Sequence, residues 1–301
     1  MLSQAAGCAR PTVLPPRMLL RLRVLPCGMA IIALCLAVAC AQRAEAESRQ
    51  GSLPDLRIAK GQKNIAEAWL ADPTERYRHF VLGSSYEAAS LVVRLRDGRT
   101  LKLTLPTDAV FEDRVPRLAD LDGDGEDEIV LVRSYVRRGA ALAVLGVRGD
   151  RLAIIAETPA TGSPNTWLNP AGIADFDGDG RLDIAAVQMP HVLGRLRVWT
   201  LRPEGLVEIA SGSDTSNHVA GSPHLGLSAV ADFDGDGIAD LAVPSLDRRS
   251  IRFISFKNGL RELARKTLPS PAASDFSVEY EGGKPVVVVG LGSRRTIRIR
   301  P

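Results

Sequence analysis

Cysteine is absent from most of this sequence, since all four cysteines lie within the first 40 of its 301 residues. They are Cys8, Cys27, Cys35 and Cys40. A chain cleaved beyond them has no disulfide, which excludes the small secreted domains whose folds depend on a disulfide framework. An exported chain of this kind needs another source of stability, and bound metal ions can supply it.

Signals for helices and for a catalytic centre are missing as well. Aromatic residues make up only 5% of the chain, no apolar period of 3.6 residues is sustained beyond residue 46, and a G-x-S-x-G nucleophile motif is lacking. No histidine has a cysteine or a second histidine at a metal-ligand spacing. We therefore predict loop positions without chemistry for the four histidines, which are His79, His191, His218 and His224.

The first 46 residues are typical of a secretory signal, because a basic segment precedes a short apolar stretch at 29–39 and small residues follow. The apolar stretch is too short for a stable membrane span. We predict cleavage after Ala46, with Met18 as an alternative start of the chain and Cys40 as an alternative lipid-anchored terminus. The mature chain, residues 47–301, is expected in the periplasm or outside the cell, and an outer-membrane lipoprotein is the alternative.

The charge of the mature chain is close to neutral. Five arginines and one glutamate fall within the predicted signal, so that 33 of 38 basic and 34 of 35 acidic residues remain after cleavage. Proteins that bind nucleic acid usually carry a basic stripe or patch. Nucleic acid is therefore not an expected partner.

Three short acidic loops are the most specific feature of the sequence. The strings ADLDGDGEDEIV, ADFDGDGRLDIA and ADFDGDGIADLA begin at residues 119, 174 and 231. Counted from the first Asp, each string has acids at positions 1, 3, 5 and 9 and a glycine at position 6. The acids are Asp120, Asp122, Asp124 and Glu128 in the first loop, Asp175, Asp177, Asp179 and Asp183 in the second, and Asp232, Asp234, Asp236 and Asp240 in the third.

Such crowding predicts a bound cation, because neighbouring carboxylates raise one another's pKa and repel. Ca²⁺ accepts about six to eight oxygens in a flexible geometry, whereas Mg²⁺ demands a tighter octahedron, so we predict three calcium sites. Tight Asp-Gly turns without metal are the alternative. The first half of each loop matches an EF-hand, in which position 7 adds a backbone carbonyl. By that analogy, the predicted ligands also include Glu126, Arg181 and Ile238.

The closing acid differs from that of an EF-hand, since it comes at position 9 and a strand-like apolar run follows it. In the first loop Asp127 stands beside Glu128, and either residue is a candidate for the closing ligand.

The loops recur with a period that indicates a repeat architecture, since their first acids are 55 and 57 residues apart. In the middle repeat, alternation of apolar and polar residues predicts strands at 171–174, 183–188, 195–201 and 206–210. Four short antiparallel strands per repeat are typical of a β-propeller blade. The sequence thus predicts an all-β fold.

Weaker copies of the repeat flank these three and complete the predicted propeller. We predict five four-stranded blades that begin near residues 65, 113, 168, 226 and 272. The first blade is expected to include a strand at 79–83. The last blade is one strand short, and we predict that residues 55–59 supply this strand and close the ring, which removes two exposed sheet edges.

The loops and their repeat resemble the FG-GAP/VCBS repeat family, which builds integrin-alpha-like calcium-loop propellers and many bacterial exported proteins. The resemblance covers nearly all of the mature chain. It implies a β-propeller with calcium between the first two strands of a blade, bound by the twelve acids given above. The first and last repeats lack these acids, so no metal is expected there.

The sequence favours an exported calcium-binding module that binds a protein or a glycan, because the three loops account for every cluster of acids. In this interpretation calcium is structural. The alternative is an exported propeller enzyme, a polysaccharide lyase or hydrolase, with its site at the mouth of the central channel. A cluster of histidine, arginine and carboxylate at that mouth would favour the enzyme.

Overall fold

The computed structural model describes residue 49 and residues 51–301, and the segment 51–301 forms a unit of its own. The predicted signal at 1–46, the alternative start at Met18 and the alternative anchor at Cys40 lie outside the described residues. Within 51–301 the secondary structure consists of strands and turns, with no helix. The described part of the chain thus contains no helix that could cross a membrane. The all-β fold predicted from the sequence is confirmed.

The first half of the described chain forms one nine-stranded sheet. All its ladders are antiparallel. Its strands are β1 (Ala59–Lys60), β2 (Ile65–Thr74), β3 (Glu87–Leu95), β4 (Thr100–Thr104), β5 (Ala109–Phe111), β6 (Arg117–Ala119), β7 (Glu128–Tyr135), β8 (Gly139–Arg148) and β9 (Arg151–Glu157).

The second half forms three separate antiparallel sheets. Two of them have four strands and the last has three. The strands are β10 (Leu168–Ala174), β11 (Asp183–Gln188), β12 (Arg195–Arg202), β13 (Gly205–Gly212), β14 (Ala229–Ala231), β15 (Asp240–Pro244), β16 (Ser250–Ser255), β17 (Arg261–Thr267), β18 (Ala272–Glu281), β19 (Lys284–Leu291) and β20 (Thr296–Ile299). The four strands predicted for the middle repeat are confirmed as β10–β13.

Consecutive repeats pack face to face, because alternate residues of each strand point to opposite faces of its sheet. On β11, Ile184 and Ala186 pack in a cluster with β7 and β8, whereas Ala185 and Val187 pack in a cluster with β15 and β16. Further clusters join β2 and β3 to β7 and β8, and β15 and β16 to β19. Each of the buried strands β7, β11 and β15 therefore contains a continuous run of apolar residues, at 129–132, 184–187 and 241–243.

Five separate sheets are not observed, because the first two repeats share one sheet. The short strand β5 pairs with β3 through Ala88 and Phe111 and with β7 through three further residue pairs. All three residues of β5 are fully buried. Because β5 pairs with a strand on each side, its backbone groups have hydrogen-bond partners. A surface loop at the same place would leave more of these groups unpaired.

The predicted closure of the last sheet by residues 55–59 is wrong. Ala59 in β1 pairs with Ala68 in β2, and Leu53 N–H donates to Leu70 O, so this segment runs along the first sheet. The hairpin between β1 and β2 needs only a short loop, whose closure costs less entropy than pairing with a strand more than 200 residues away. Among the described residues, no hydrophobic cluster joins the last sheet to the first.

Candidate metal centres

Each acidic loop connects the first two strands of a repeat. The loops lie between β6 and β7, between β10 and β11, and between β14 and β15. In the middle loop, the two carboxylate oxygens of Asp175 accept the N–H groups of Gly178 at 2.7 Å and Gly180 at 2.9 Å. Both glycines have positive φ, 82° and 85°, which a glycine adopts without strain. The first acid of the loop therefore fixes the turn.

The structure brings three of the four acids of each loop together. One carboxylate oxygen from each of positions 1, 3 and 9 lies within 4.8 Å of the other two. The three groups are Asp120, Asp122 and Glu128; Asp175, Asp177 and Asp183; and Asp232, Asp234 and Asp240. A hard cation bound by carboxylate oxygens fits this donor set.

The ninth acid is the buried member of each group. Asp183 is fully buried, and its Oδ2 accepts the N–H of Phe176 at 3.1 Å. Its Oδ1 is buried and has no hydrogen-bond partner among the described residues, and the same holds for Oδ1 of Asp240. A buried carboxylate oxygen without a partner is costly unless a cation satisfies it. The two residues thus fit a metal ligand at position 9.

Burial also affects the protonation of the three acids at position 9. Burial, with a further contribution from the charge of Asp177, raises the pKa of Asp183 to about 6. Burial likewise raises the pKa of Asp240 to about 6, and that of Glu128 to about 7. A bound cation favours the ionised form and would lower all three values.

The hydrogen bonds of Asp127 and Glu128 differ, and they favour Glu128 as the closing acid of the first loop. Oε2 of Glu128 accepts the N–H of Leu121 at 2.9 Å, which is the bond that Asp183 makes in the middle loop. Oδ2 of Asp127 instead accepts the N–H of Lys63 at 2.8 Å. Glu128 therefore takes position 9, and Asp127 fastens the loop to the segment before β2.

The acids at position 5 lie outside the three groups. Each of them accepts the N–H of the residue at position 7, at distances of 2.8–3.0 Å. Two also pair with a base: Asp179 with Arg202 at 2.8 Å, and Asp236 with Lys257 at 3.1 Å. Metal binding by the position 5 acids and by the carbonyls of position 7 stays a prediction. These residues are Asp124, Asp179 and Asp236 at position 5, and Glu126, Arg181 and Ile238 at position 7.

A cavity of about 470 Å³ lies among the first strands of successive repeats. Its lining includes Arg117 on β6, Ile173 on β10 and Asp275 on β18, together with Arg57 from the segment before β1. The Asp275 carboxylate lies 3.0 Å from Nδ1 of His224. Two arginines and a carboxylate thus line this cavity, and a histidine outside the lining pairs with this carboxylate; a cluster of this composition would favour an enzyme.

A second polar cluster surrounds Trp167, and no motif in the sequence marks it. His79 Nδ1 lies 2.7 Å from Oε1 of Glu112, which is fully buried. His191 Nε2 lies 2.9 Å from His218 Nδ1, and the His191 ring stacks on Trp167. We predicted no chemistry at these histidines because their spacing along the chain shows no metal-ligand pattern. That spacing gives no information about contacts between residues that are far apart in the sequence.

Burial lowers the pKa of both His191 and His218 to about 4. Both imidazoles are therefore neutral near pH 7. The Trp167 indole N–H donates to the backbone oxygen of Glu112 at 3.0 Å and so connects the two pairs of residues.

A family model for the FG-GAP-like repeat matches residues 120–186 and, again, residues 175–243. The matched stretch contains all three acidic loops, the strands β7–β14 and β15 up to residue 243. The resemblance inferred from the loops is confirmed, and its bacterial exported type stays a prediction. A search of curated proteins gives no significant match.

Proposed function

We propose that this chain, whose residues 120–243 carry FG-GAP-like repeats, is an exported, calcium-stabilised β-propeller that acts as a binding module. Its five blades begin at β2, β6, β10, β14 and β18. Support for a propeller comes from the face-to-face packing of consecutive repeats and from the cavity among their first strands. The residues before 47 act as the export signal, and Cys40 is the anchor if the chain is a lipoprotein.

Calcium has a structural role in this proposal. Each loop offers three clustered carboxylates, and one buried oxygen of Asp183 and of Asp240 has no hydrogen-bond partner among the described residues. Ligand binding to the native state alone stabilises it by about 2.7 kcal/mol at a hundred times the dissociation constant. Thermal unfolding with EDTA and with millimolar CaCl₂ tests the role, since extracellular modules bind calcium in this range. An unchanged melting temperature would reject it.

The partner is an anionic glycan or, as the alternative, an acidic protein segment. The observation that carries this proposal is the pair of arginines in the cavity. Arg57 has Pro223 O, at 3.3 Å, as its hydrogen-bond acceptor among the described residues. Arg117 pairs with Asp113 at 2.7 Å and keeps further N–H donors. A volume of about 470 Å³ lies within the usual range of ligand sites, and guanidinium groups bind carboxylates in a bidentate manner.

Glycan binding can be tested with two matched ligands, oligogalacturonate and its methyl ester, by calorimetry in calcium. We expect binding of the acid form alone, with a loss of at least tenfold for Arg57→Gln. Arg295→Gln, at an exposed position outside the cavity lining, is the control variant. Equal binding of ester and acid would refute charge recognition, whereas binding of an acidic peptide alone would select the protein partner.

The pair of His224 and Asp275 supports one second candidate, a lyase that acts on uronate-containing polysaccharide. His224 would take the C5 proton, the C4–O bond would break, a C4–C5 double bond would form, and the leaving sugar oxygen would gain a proton. Arg57 would stabilise the carboxylate during this step. Ultraviolet absorbance of the unsaturated product, lost in His224→Asn, tests the reaction. Binding of oligogalacturonate without product would reject the lyase and keep the binding module.

A further inference from the structure

The pocket beside His79 and His191 has no role in calcium binding or in the cavity. It has a volume of about 110 Å³ and is lined by both histidines, Trp167 and Met189. Since a water molecule occupies about 30 Å³ of liquid, the pocket has room for a few waters or for one hydrated ion. The lining contains no acidic residue, so the pocket differs in its donors from the three loops.

The backbone around this pocket is strained at three non-glycine residues. Phe80, Asn165 and Met189 have φ values of 57°, 56° and 48°. Asn165 and Met189 line the pocket, and Phe80 follows His79 directly. Left-handed conformations of such residues cluster at functional sites, where the surrounding structure holds them in place.

The hydrogen bonds determine which ring nitrogens are free of protons. The Ser222 carbonyl oxygen can only accept, so His218 Nε2, at 2.9 Å, donates to it. The neutral His218 ring then accepts at Nδ1, and His191 donates through Nε2. His191 Nδ1 therefore keeps its lone pair.

His79 follows the same logic. Its Nδ1 donates to the Glu112 carboxylate, which also accepts the hydroxyl of Ser134, and so Nε2 carries the lone pair in the neutral form of the ring. The pocket is thus lined by two imidazoles whose protons are both committed to other partners. Each imidazole therefore offers one nitrogen lone pair to a ligand.

We propose that His79 Nε2 and His191 Nδ1 bind a divalent transition-metal ion of the class Cu²⁺, Ni²⁺ or Zn²⁺. Imidazole nitrogen suits these ions, whereas calcium prefers oxygen. A metal-binding histidine almost always donates its other N–H to a carboxylate or a carbonyl, which orients the ring. Glu112 does this for His79, and His218, itself held by a carbonyl, does it for His191. The remaining coordination positions bind water or an exogenous ligand.

Copper binding to the untagged chain in excess calcium tests the proposal, because calcium then fills the acidic loops. We expect one Cu²⁺ per chain and an electron paramagnetic resonance spectrum with coupling to two imidazole nitrogens. Zn²⁺ should displace the copper from this site only in large excess, because Cu²⁺ binds imidazole more tightly than Zn²⁺ does.

Two variants each remove one lone pair and keep the hydrogen bond behind it. In His79→Asn the amide nitrogen replaces Nδ1 as donor to Glu112, and in His191→Gln the amide nitrogen replaces Nε2 as donor to His218. Each variant should bind Cu²⁺ at least tenfold more weakly, with coupling to one nitrogen. His224→Asn is the matched control, since this histidine pairs with Asp275 outside the pocket, and it should bind as the parent chain does.

Several outcomes would overturn the metal site. They are a parent spectrum without nitrogen coupling, loss of the copper when calcium is added, or an unchanged two-nitrogen spectrum in either variant. Melting temperatures in calcium within a few degrees of the parent chain confirm that the variants are folded. If one variant unfolds, the other still decides the question, because each reports on its own ligand.

Discussion

Replacement of Asp183 by Asn should have opposite effects on stability with and without calcium. The side chain is fully buried, and one of its oxygens accepts the Phe176 N–H while the other lacks a partner among the described residues. Asparagine keeps the acceptor for Phe176 and removes the negative charge. The metal-free loop then loses an unfavourable buried charge, whereas the calcium-bound loop loses a ligand.

With calcium at a hundred times its dissociation constant, one site contributes about 2.7 kcal/mol to stability. Asp183→Asn should lose this amount but gain about 1 kcal/mol from removal of the buried charge, which leaves a net loss of about 1.7 kcal/mol. For a chain of this size, about 1 kcal/mol shifts the melting temperature by about 2–4 °C, so we expect a decrease of about 3–7 °C.

Without calcium the sign is reversed, because burial raises the folded-state pKa of Asp183 from 3.8 to about 6. A raised carboxyl pKa means that the folded state is most stable below the unfolded pKa and loses stability as pH rises through the folded pKa. The shift corresponds to at most about 3 kcal/mol, and solvent at the loop screens part of it, so we expect a gain of about 1 kcal/mol in the variant. The gain should be absent near pH 4 and complete at pH 7.

Differential scanning calorimetry of both chains, in EDTA and in calcium, measures the two effects. Glu204→Gln removes an acid at an exposed turn and serves as the control, with no change expected in either condition. A variant that is destabilised equally with and without calcium would refute the reasoning, because Asp183 would then act through packing and not through the ion.

Three further predictions concern other parts of the chain. Burial raises the pKa of Glu128 to about 7, and this residue must be ionised to bind the ion. The calcium affinity of the first loop should therefore fall about 50-fold between pH 7 and pH 5 in calorimetric titrations. An affinity that does not change with pH would contradict this. Gly83→Ala should cost more in urea unfolding than Gly98→Ala, because both have positive φ but only the first would place a Cβ 2.4 Å from a backbone oxygen; equal losses would contradict the clash. Phe111→Ala should cost about 3–5 kcal/mol, since this buried residue of β5 joins two repeats, and a loss below about 1 kcal/mol would show that the bridge is dispensable.

The sequence predicted the local features of the fold well. The strand over 183–188 is found with the predicted bounds, because a short apolar run after an Asp-Gly turn has few alternatives. The acidic loops bend as predicted, because glycines stand where the backbone needs positive φ. In both cases the determining interactions lie within a few residues of one another.

Long-range features could not be read in the same way. Residues 55–59 have a composition that suits any open sheet edge, and the choice of β2 depends on the length of the connecting loop. Residues 79–83 also look like a strand, yet Phe80 is left-handed and the segment is a turn. The cluster around Trp167 joins residues from 79 to 218, and no local pattern marks such contacts.

The exposed edge of the last sheet has a consequence for solubility. Within residues 51–301 the sheet ends on β20, whose outer backbone groups have no neighbouring strand, and such an edge can template pairing with another chain. The side chains of Arg298 and Arg300 are 59% and 45% exposed along it and pair with Glu279 and Glu281 on β18. Like charges would face each other if two copies aligned here, so we expect these arginines to disfavour assembly edge to edge.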